Sequence, residues 1–322
     1  MGKKIAFLSY YSGTVNRGVE TYVNQLSQEL SNLGHKVKIY QNNSKYKSIK
    51  QFTQETLRNL DKNTDILIAT NGRWQSFLCK VWCVIHKKKL VIPGQSGPGI
   101  DDRINLWMFP DVFVGLTQHQ CNWAKKVNPF VKTINIPNGV DTQLFKNNNN
   151  SNKLSKPTIL VVAALEPIKR LDLAIKAISK LKNCSLLIVG RGKQEQDLKK
   201  LGNNLLPGRF NILSYDHTQM PQVYKTVNLF TYPTSPWESF GIAMLEAMAS
   251  GLAVVASNDP IRREIVGNAG IFVDPKNTDE YAKALDKAVN MKWGEKPRIQ
   301  AEKFSWGIIA EKYDELFKSL VK

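Results

Sequence analysis

Residues 237–257, WESFGIAMLEAMASGLAVVAS, decide how the rest of the chain is read. Ser239 is placed to cap a helix running from about Phe240 to Ser250, and Gly251 to stop it. A short β run follows at 253–256, so the stretch is a helix that hands over to a strand. N–H groups near Phe240, Gly241 and Ile242 have no intrahelical partner at such a helix start and form an anion site. Glu246 lies inside the helix among Ala243, Met244, Leu245, Ala247 and Met248. A carboxylate in that company either finds hydrogen-bond donors, as a sugar or ribose diol would supply, or turns to solvent. Glu238 stands ahead of the helix, where it would meet the other end of the same ligand.

Outward from this stretch the alternation repeats. Short β runs fall at 5–9, 37–40, 66–69, 90–92, 112–115 and 133–136. A second series falls at 159–163, 186–189, 212–213, 229–232, 253–256 and 271–273. Helical patterns lie between them, the first being the stripe Val19, Tyr22, Val23, Leu26, Leu30 and Leu33 closed by Gly34. Others are expected near 169–182, 193–201, 219–226, 240–250 and 277–290. This pattern predicts an α/β protein with parallel sheets covered on both faces. Between the two series, residues 146–157 read KNNNNSNKLSKP, a polar linker without periodicity. The expectation is two doubly wound Rossmann-like domains, 1–150 and 151–305, facing across a cleft. The stripe Trp306, Ile309, Tyr313, Leu316, Phe317 and Leu320 predicts a last helix, 306–321, packed back on the first domain. Ligands of such folds bind outside the carboxyl ends of the strands, so loops after strands should carry the function.

Charge bounds the partners. Among 322 residues, 45 Lys and Arg face 27 Asp and Glu, a net +18. Residues 1–150 hold 20 basic and 9 acidic side chains, so the excess is denser there. Such a balance favours anionic partners: nucleic acid, acidic lipid headgroups or phosphorylated small molecules. No helix-turn-helix, RNA-binding strand motif or zinc module supports nucleic acid. No run of eighteen apolar residues exists to span a membrane. The short apolar run at the N-terminus reads as a strand rather than a signal peptide. Cys79, Cys83, Cys121 and Cys184 have no metal-ligand spacing and read as reduced packing residues of a cytoplasmic protein. The stripe Trp74, Phe77, Leu78, Val81, Trp82 and Ile85, followed by His86, Lys87, Lys88 and Lys89, has two readings. The plainer one is a helix buried against its sheet with a charged end that suits its dipole. The other is an amphipathic helix lying on an anionic bilayer, which would make the protein peripheral on the inner membrane face.

The spacing P-x4-E-x-F-G-x4-E-A-M-A-x-G, from Pro233 to Gly251, resembles the retaining glycosyltransferases of family 4, the glycosyltransferase group 1 domain, which have the GT-B fold. Other motifs agree along nearly the whole chain. Arg17-Gly18-Val19-Glu20 is similar to the family's Gly-Gly-x-Glu loop. Leu33-Gly34-His35-Lys36-Val37 is similar to L-x-G-H-x-V. Ile136-Pro137-Asn138-Gly139-Val140-Asp141, with Phe145, is similar to I-P-N-G-V-D-x3-F. Residues 163–170, AALEPIKR, stand in the place of G-R-L-x3-K-G.

The resemblance implies transfer of a sugar from a UDP- or GDP-sugar to a glycan or lipid-linked acceptor, in surface polysaccharide or glycolipid synthesis, with anomeric configuration retained. The nucleotide-sugar is a substrate, and neither a cofactor nor a metal is implied. Glu246 matches the glutamate that holds the ribose hydroxyls, and Glu238 the one that holds the donor sugar. Lys169 matches the lysine that neutralises the diphosphate, whose charge grows as the glycosidic bond breaks. Backbone at Ser239, Phe240, Gly241 and Ile242 would face sugar and phosphate.

This chain departs from the family at three places. The phosphate-binding arginine is Ala164 and the glycine after the lysine is Arg170; Arg170 either replaces the missing cation from a neighbouring position or is a surface residue, and Arg191, beside Gly190, is a second candidate to replace it. The first glycine of the N-terminal loop is Arg17, which either adds charge for a phosphate that Gly18 still lets backbone approach or is a solvated loop arginine. A histidine after the fourth strand is replaced by Gln95 or Ser96, which bond a hydroxyl but carry no charge. His119, Asn138 and Asp141 read as incidental or turn-making, and Asp101-Asp102 as a turn or helix cap. Two other readings keep the fold: a catalytically impaired nucleotide-sugar-binding protein, and a nucleotide-sugar epimerase.

Overall fold

The computed structural model describes residues 2–12, 18–146, 154 and 156–321. Arg17 and most of the polar stretch after Lys146 lie outside the described residues. The chain divides into two compact units, Met1–Gly139 with Trp306–Lys322, and Val140–Ser305.

The first unit alternates β1 (Lys4–Ser9), α1 (Gly18–Asn32), β2 (Lys36–Gln41), α2 (Ile49–Arg58), β3 (Ile66–Ala69), α3 (Trp74–His86), β4 (Lys89–Pro93), α4 (Ile100–Trp107), β5 (Val112–Gly115), α5 (Gln118–Val127) and β6 (Thr133–Asn135). Its six strands are parallel in the order β2-β1-β3-β4-β5-β6. Strands β3 and β5 are buried at every residue, as parallel strands covered on both faces must be, and read as unbroken apolar runs. The edge strand β2, KVKIYQ, instead alternates lysine with apolar residues, which blunts an open edge.

The second unit contains β7 (Thr158–Val162), α6 (Leu171–Ser179), β8 (Ser185–Val189), α7 (Glu195–Leu205), β9 (Phe210–Leu213), α8 (Met220–Thr226), β10 (Leu229–Tyr232), α9 (Ile242–Ala249), β11 (Val254–Ser257), α10 (Pro260–Val266), β12 (Gly270–Val273), α11 (Thr278–Asn290) and α12 (Lys296–Glu302). Its strands are parallel in the order β12-β11-β10-β7-β8-β9. The order reverses between β7 and β10, the position at which ligands of such sheets bind.

The change of unit comes earlier than the polar stretch at 146–157 suggests. Val140 donates its N–H to Phe304 O at 2.8 Å and bridges to Ser305. Phe145 is buried against Tyr224 and His217 of the second unit. α13 (Trp306–Leu320) belongs to the first unit, burying Trp306, Ile309, Tyr313 and Phe317 against the α1 face that carries Tyr22, Val23 and Leu26. The Tyr22 and Tyr313 hydroxyls meet at 2.9 Å inside this contact.

Three local expectations are corrected. The helix expected from Phe240 begins at Ile242; Gly241, at φ 95, is its cap, and Ser239 makes no side-chain cap bond. Gly241 takes the left-handed conformation without Cβ strain and so redirects the chain into the helix later than a serine cap would. The α3 stripe is not buried against the sheet. Trp82 turns inward, but Trp74, Phe77, Val81 and Ile85 are exposed, while Gln75 and Ser76 are buried. Asp101 and Asp102 do not cap α4, whose N-cap is Gly99; both lie in its first turn.

The turn Pro167–Lys169 ends at Arg170, whose φ of 51 and ψ of 40 are left-handed. That explains why glycine suits this position: the conformation costs a side-chain-bearing residue about 1–2 kcal/mol. Arg170→Gly is expected to raise stability by about 0.5–1 kcal/mol, read as an increased urea midpoint. In the first unit, Phe317→Ala is expected to cost about 3–5 kcal/mol, read in the same titration by tryptophan fluorescence.

Candidate functional site

The loops after β7 and β10 bring Lys169, Tyr232 and Glu238 together. After β7 the backbone is packed tightly against the β8 loop. Leu165 N–H bonds Arg191 O at 2.9 Å, and a Cβ on Gly190 would overlap Ala163 O. This rigid turn delivers Lys169. After β10, Ser235 N–H bonds Ile168 O at 2.9 Å and Thr234 Oγ1 bonds the same carbonyl at 3.1 Å. The two loops are thus tied together ahead of the side chains they present.

Lys169 Nζ donates to a carboxylate oxygen of Glu238 and to Tyr232 Oη, the latter at 3.1 Å. Both members of the ion pair are largely buried. Burial works against the lysine charge, but Tyr232 and Glu238 outweigh it, and the Lys169 pKa is raised. The Tyr232 hydroxyl is pushed up to about 12, first by burial and then by Glu238. The pair is therefore a fixed cation and a fixed anion held in contact.

Arg262 holds this loop from behind. Its side chain is fully buried. Nε donates to Asp259 Oδ2 at 2.8 Å, Nη1 to Glu238 O at 2.8 Å and Nη2 to Ser235 O at 3.2 Å. Asp259 also caps α10, accepting from Ile261 and Arg262 N–H groups. A planar fork is needed to reach a carboxylate and two carbonyls at once, which lysine does not offer.

α9 begins beside this pair. A Cβ on Gly241 would meet the Tyr232 ring at 2.8 Å, so the helix start lies against the tyrosine that holds Lys169. Glu246, further along α9, is buried and does not turn to solvent. Tyr224 Oη donates to Glu246 Oε2 at 2.8 Å, and His217 Nε2 lies 3.3 Å from Oε1. The bond to Glu246 raises the His217 pKa against the effect of burial. Burial, then Glu246, raises that of Tyr224 well above the ordinary phenol value. Phe145 packs edge-on against both partner rings, at 6.0 and 5.6 Å between centroids. One row results: Lys169 with Glu238, then the start of α9, then Glu246.

The other residues singled out from sequence have separate surroundings. Phe240 is buried core, its ring 6.4 Å from that of Phe304. Ala164 is exposed. Arg191 is exposed, with Nε donating to Ser214 Oγ. Arg170 owes its position to its left-handed backbone. Asp141 makes a turn, its Oδ1 accepting from the Gln143 and Leu144 N–H groups.

In the first unit, Gln95 and Asn138 form a reciprocal amide pair, with Gln95 Nε2 to Asn138 Oδ1 at 2.9 Å and Asn138 Nδ2 to Gln95 Oε1 at 3.1 Å. Gln120 Nε2 bonds Gly94 O at 2.7 Å and Asp102 Oδ2 at 3.0 Å, fixing the loop that carries Gln95. Burial pushes the Asp102 carboxyl up to about 7. Gly18 is exposed at the first residue of α1, and His119 is exposed in α5. Among the described residues, no group of three or more His, Cys, Asp or Glu side chains is arranged to hold a metal ion.

Sequence reasoning missed Tyr224, His217, Tyr232 and Arg262. Only Arg262 left a legible trace: Asp259-Pro260 is a helix start, and an arginine three residues after an N-cap aspartate can fold back onto it.

Residues 142–304 match the family model described as glycosyl transferases group 1. A phosphatidyl-myo-inositol mannosyltransferase of Mycolicibacterium smegmatis is 27% identical over 202 residues, which cover 58% of this chain and 52% of that protein. The sulfoquinovosyl transferase SQD2 of Arabidopsis thaliana is 26% identical over 187 residues, covering 52% of this chain and 36% of that one. The chain spans about half the length of such curated relatives or less. Among solved structures, Anabaena HepE in complex with UDP and glucose superposes with a TM-score of 0.80 at 18% identity, covering 98% of this chain and 100% of that one. Sucrose-phosphate synthase from Thermosynechococcus elongatus also gives 0.80, at 16% identity and 99% coverage of both chains. At these identities the likeness is one of fold, and the fold is GT-B. The family match covers half of the chain, and the chain belongs to the glycosyl transferases group 1.

Proposed function

We propose that the protein transfers a sugar from a UDP- or GDP-sugar to a glycan or lipid-linked acceptor, with retention and without a metal ion. The observation that carries this reading is the row along α9. A buried carboxylate at Glu246 suits a ribose diol. The free N–H groups at the start of α9 and the Lys169 charge suit a diphosphate. Glu238 suits sugar hydroxyls. HepE, whose structure holds UDP and glucose, and the mannosyltransferase relative support the donor class.

In the proposed step, the bond from the sugar C1 to the diphosphate oxygen breaks and the acceptor oxygen bonds C1 on the same face. The acceptor proton passes to the departing phosphate. Charge grows on that phosphate, and a preorganised cation there stabilises the transition state more than the ground state. Lys169, held by Tyr232 and Glu238, has little left to reorganise. The same geometry without turnover would describe a nucleotide-sugar-binding protein, a reading favoured by Ala164 in the place of the family arginine.

Release of UDP or GDP from a panel of nucleotide-sugars with glycan and lipid-linked acceptors tests this. Lys169→Met is expected to lower kcat about 10²–10³-fold, and Glu246→Ala to weaken nucleotide binding at least tenfold. Tight binding without turnover would establish the binding-protein reading; absence of nucleotide binding would remove both.

His217 gives a pH test of the pocket. Its folded pKa is raised above 6.5 by Glu246, so the pair stabilises fully below the unfolded value and loses its effect as pH climbs through the folded one. The half-exposed ring is screened, which limits the effect to about 1 kcal/mol. His217→Gln is therefore expected to melt below the parent protein near pH 6 and to match it near pH 9, followed by thermal denaturation.

A further inference from the structure

The first unit carries an apolar surface that its own fold leaves uncovered. α3 carries apolar side chains on its outer face as well as its inner one. Its polar Gln75 and Ser76 point inward and are satisfied there: Gln75 Oε1 accepts from Asn71 N–H at 2.8 Å, and Ser76 Oγ donates to Asn105 Oδ1 at 2.9 Å. Cys79, Trp82 and Cys83 are buried in the core, while a second set of apolar side chains points outward, with Trp74 57%, Val84 64% and Ile85 68% exposed. Phe77, Val81, Val84 and Ile85 line an open groove of about 340 Å³ with Trp107 and Met108 from the end of α4.

The rim of the groove extends this surface. Phe109 lies against Trp107, ring centroids 6.0 Å apart, and is itself exposed. Its φ is 49. A bulky residue in the left-handed region is strained, and here the strained backbone presents an aromatic ring to solvent rather than to the core. Trp74 and Phe77 form a second edge-to-face pair at 6.1 Å. Contiguous exposed apolar surface of this kind marks an interaction site.

Charge says what it meets. Residues 66–100 contain no Asp or Glu, and five cations: Arg73, Lys80, Lys87, Lys88 and Lys89. The nearby acids Asp101 and Asp111 pair with three of them, Asp101 with Arg73 and Asp111 with Lys80 and Lys89, so among the described residues Lys87 and Lys88 are the two without an ion-pair partner; Asp65 and Asp102 are held by Lys4 N–H and Gln120. Lys87 and Lys88 follow α3 directly, and Lys50 sits 4.9 Å from the centre of the Trp74 ring. An apolar aromatic face with a cationic border is complementary to an anionic bilayer, whose acyl region takes the rings and whose phosphates take the lysines. A second copy of the same face would bring two cationic borders together. We propose that the α3–α4 face docks the protein on the surface of an anionic phospholipid bilayer. No helix among the described residues is long and apolar enough to cross one, so the contact is with the surface. The inference stands apart from the reaction proposed above, since it concerns only the first unit.

Co-sedimentation of the full chain with vesicles tests it. With phosphatidylcholine–phosphatidylglycerol vesicles at low salt the protein is expected in the pellet, and with phosphatidylcholine alone in the supernatant. Raising salt to about 0.5 M should release it, because exposed charges are screened within a few ångströms there. Val84→Glu with Ile85→Glu should reduce binding at least tenfold. Lys87→Ala with Lys88→Ala should reduce it about fivefold per lysine. All of these side chains are at the surface, so unchanged melting temperatures show that the variants fold. Absence of parent protein from the anionic pellet overturns the proposal. So does undiminished binding by the Val84/Ile85 variant, or a dimer in sedimentation velocity that this variant splits while no vesicle binding occurs.

Discussion

The buried guanidinium of Arg262 is the contact on which the second unit's polar loop cluster depends. It satisfies the Asp259 carboxylate and the carbonyls of Ser235 and Glu238 together. Breaking a buried pair of this kind typically costs about 3–5 kcal/mol, because the partner left behind is a desolvated charge. Two of the three partners are backbone atoms of the loop after β10. The arginine therefore fixes where that loop runs, and with it the Glu238 side chain that meets Lys169. The bonds from Thr234 and Ser235 to Ile168 add a second tie on the same loop. The Lys169–Glu238 contact is thus a consequence of backbone positions set elsewhere.

The fold was legible because parallel strands covered on both faces are written as short, unbroken apolar runs. ILIA in β3, VFVG in β5 and VVAS in β11 need no tertiary information to be read as strands. The arrangement around Glu246 was legible only as an alternative between pairing and exposure. The partners that decide it, Tyr224 and His217, lie in a different segment of chain, and nothing in α9 itself points to them. The orientation of α3 was misjudged for a related reason. Hydrophobic periodicity assumes that polar side chains want water, whereas Gln75 and Ser76 find Asn71 and Asn105 inside. The start of α9 was misplaced because a serine cap and a left-handed glycine compete for the same turn, and the close approach of Tyr232 to Gly241 leaves room for the glycine alone.

Arg170 and Ala164 show how a departure from a motif can mean different things. A glycine before a helix is a backbone choice, and Arg170 keeps the left-handed backbone while accepting its strain. Its substitution leaves the turn that delivers Lys169 intact. Ala164 is a side-chain loss, on an exposed residue with no charge to offer. Arg191, the other candidate to replace that charge, is bonded to Ser214. Under the proposed reaction, Lys169 is then the buried cation available to a diphosphate, beside the N–H groups at the start of α9, and the exposed Arg191 keeps its charge.

The burial of that cation gives the Lys169–Glu238 contact a second consequence. A lone buried ammonium tends to lose its proton, since desolvation disfavours the charged form. Tyr232 and Glu238 reverse that tendency and keep Lys169 charged without a ligand. Under the proposed reaction, a diphosphate beside the pair would meet a cation that is already oriented and already desolvated, so the desolvation that usually weakens buried ion pairing would have been met in folding. The cost is that Glu238 competes for the same ammonium. Sugar hydroxyls donating to Glu238 would relieve the competition, because a carboxylate that accepts new hydrogen bonds holds its lysine less tightly. Under the proposed reaction, the strength of the Lys169–phosphate contact would therefore depend both on the charge that gathers on the departing phosphate and on whether sugar hydroxyls occupy Glu238.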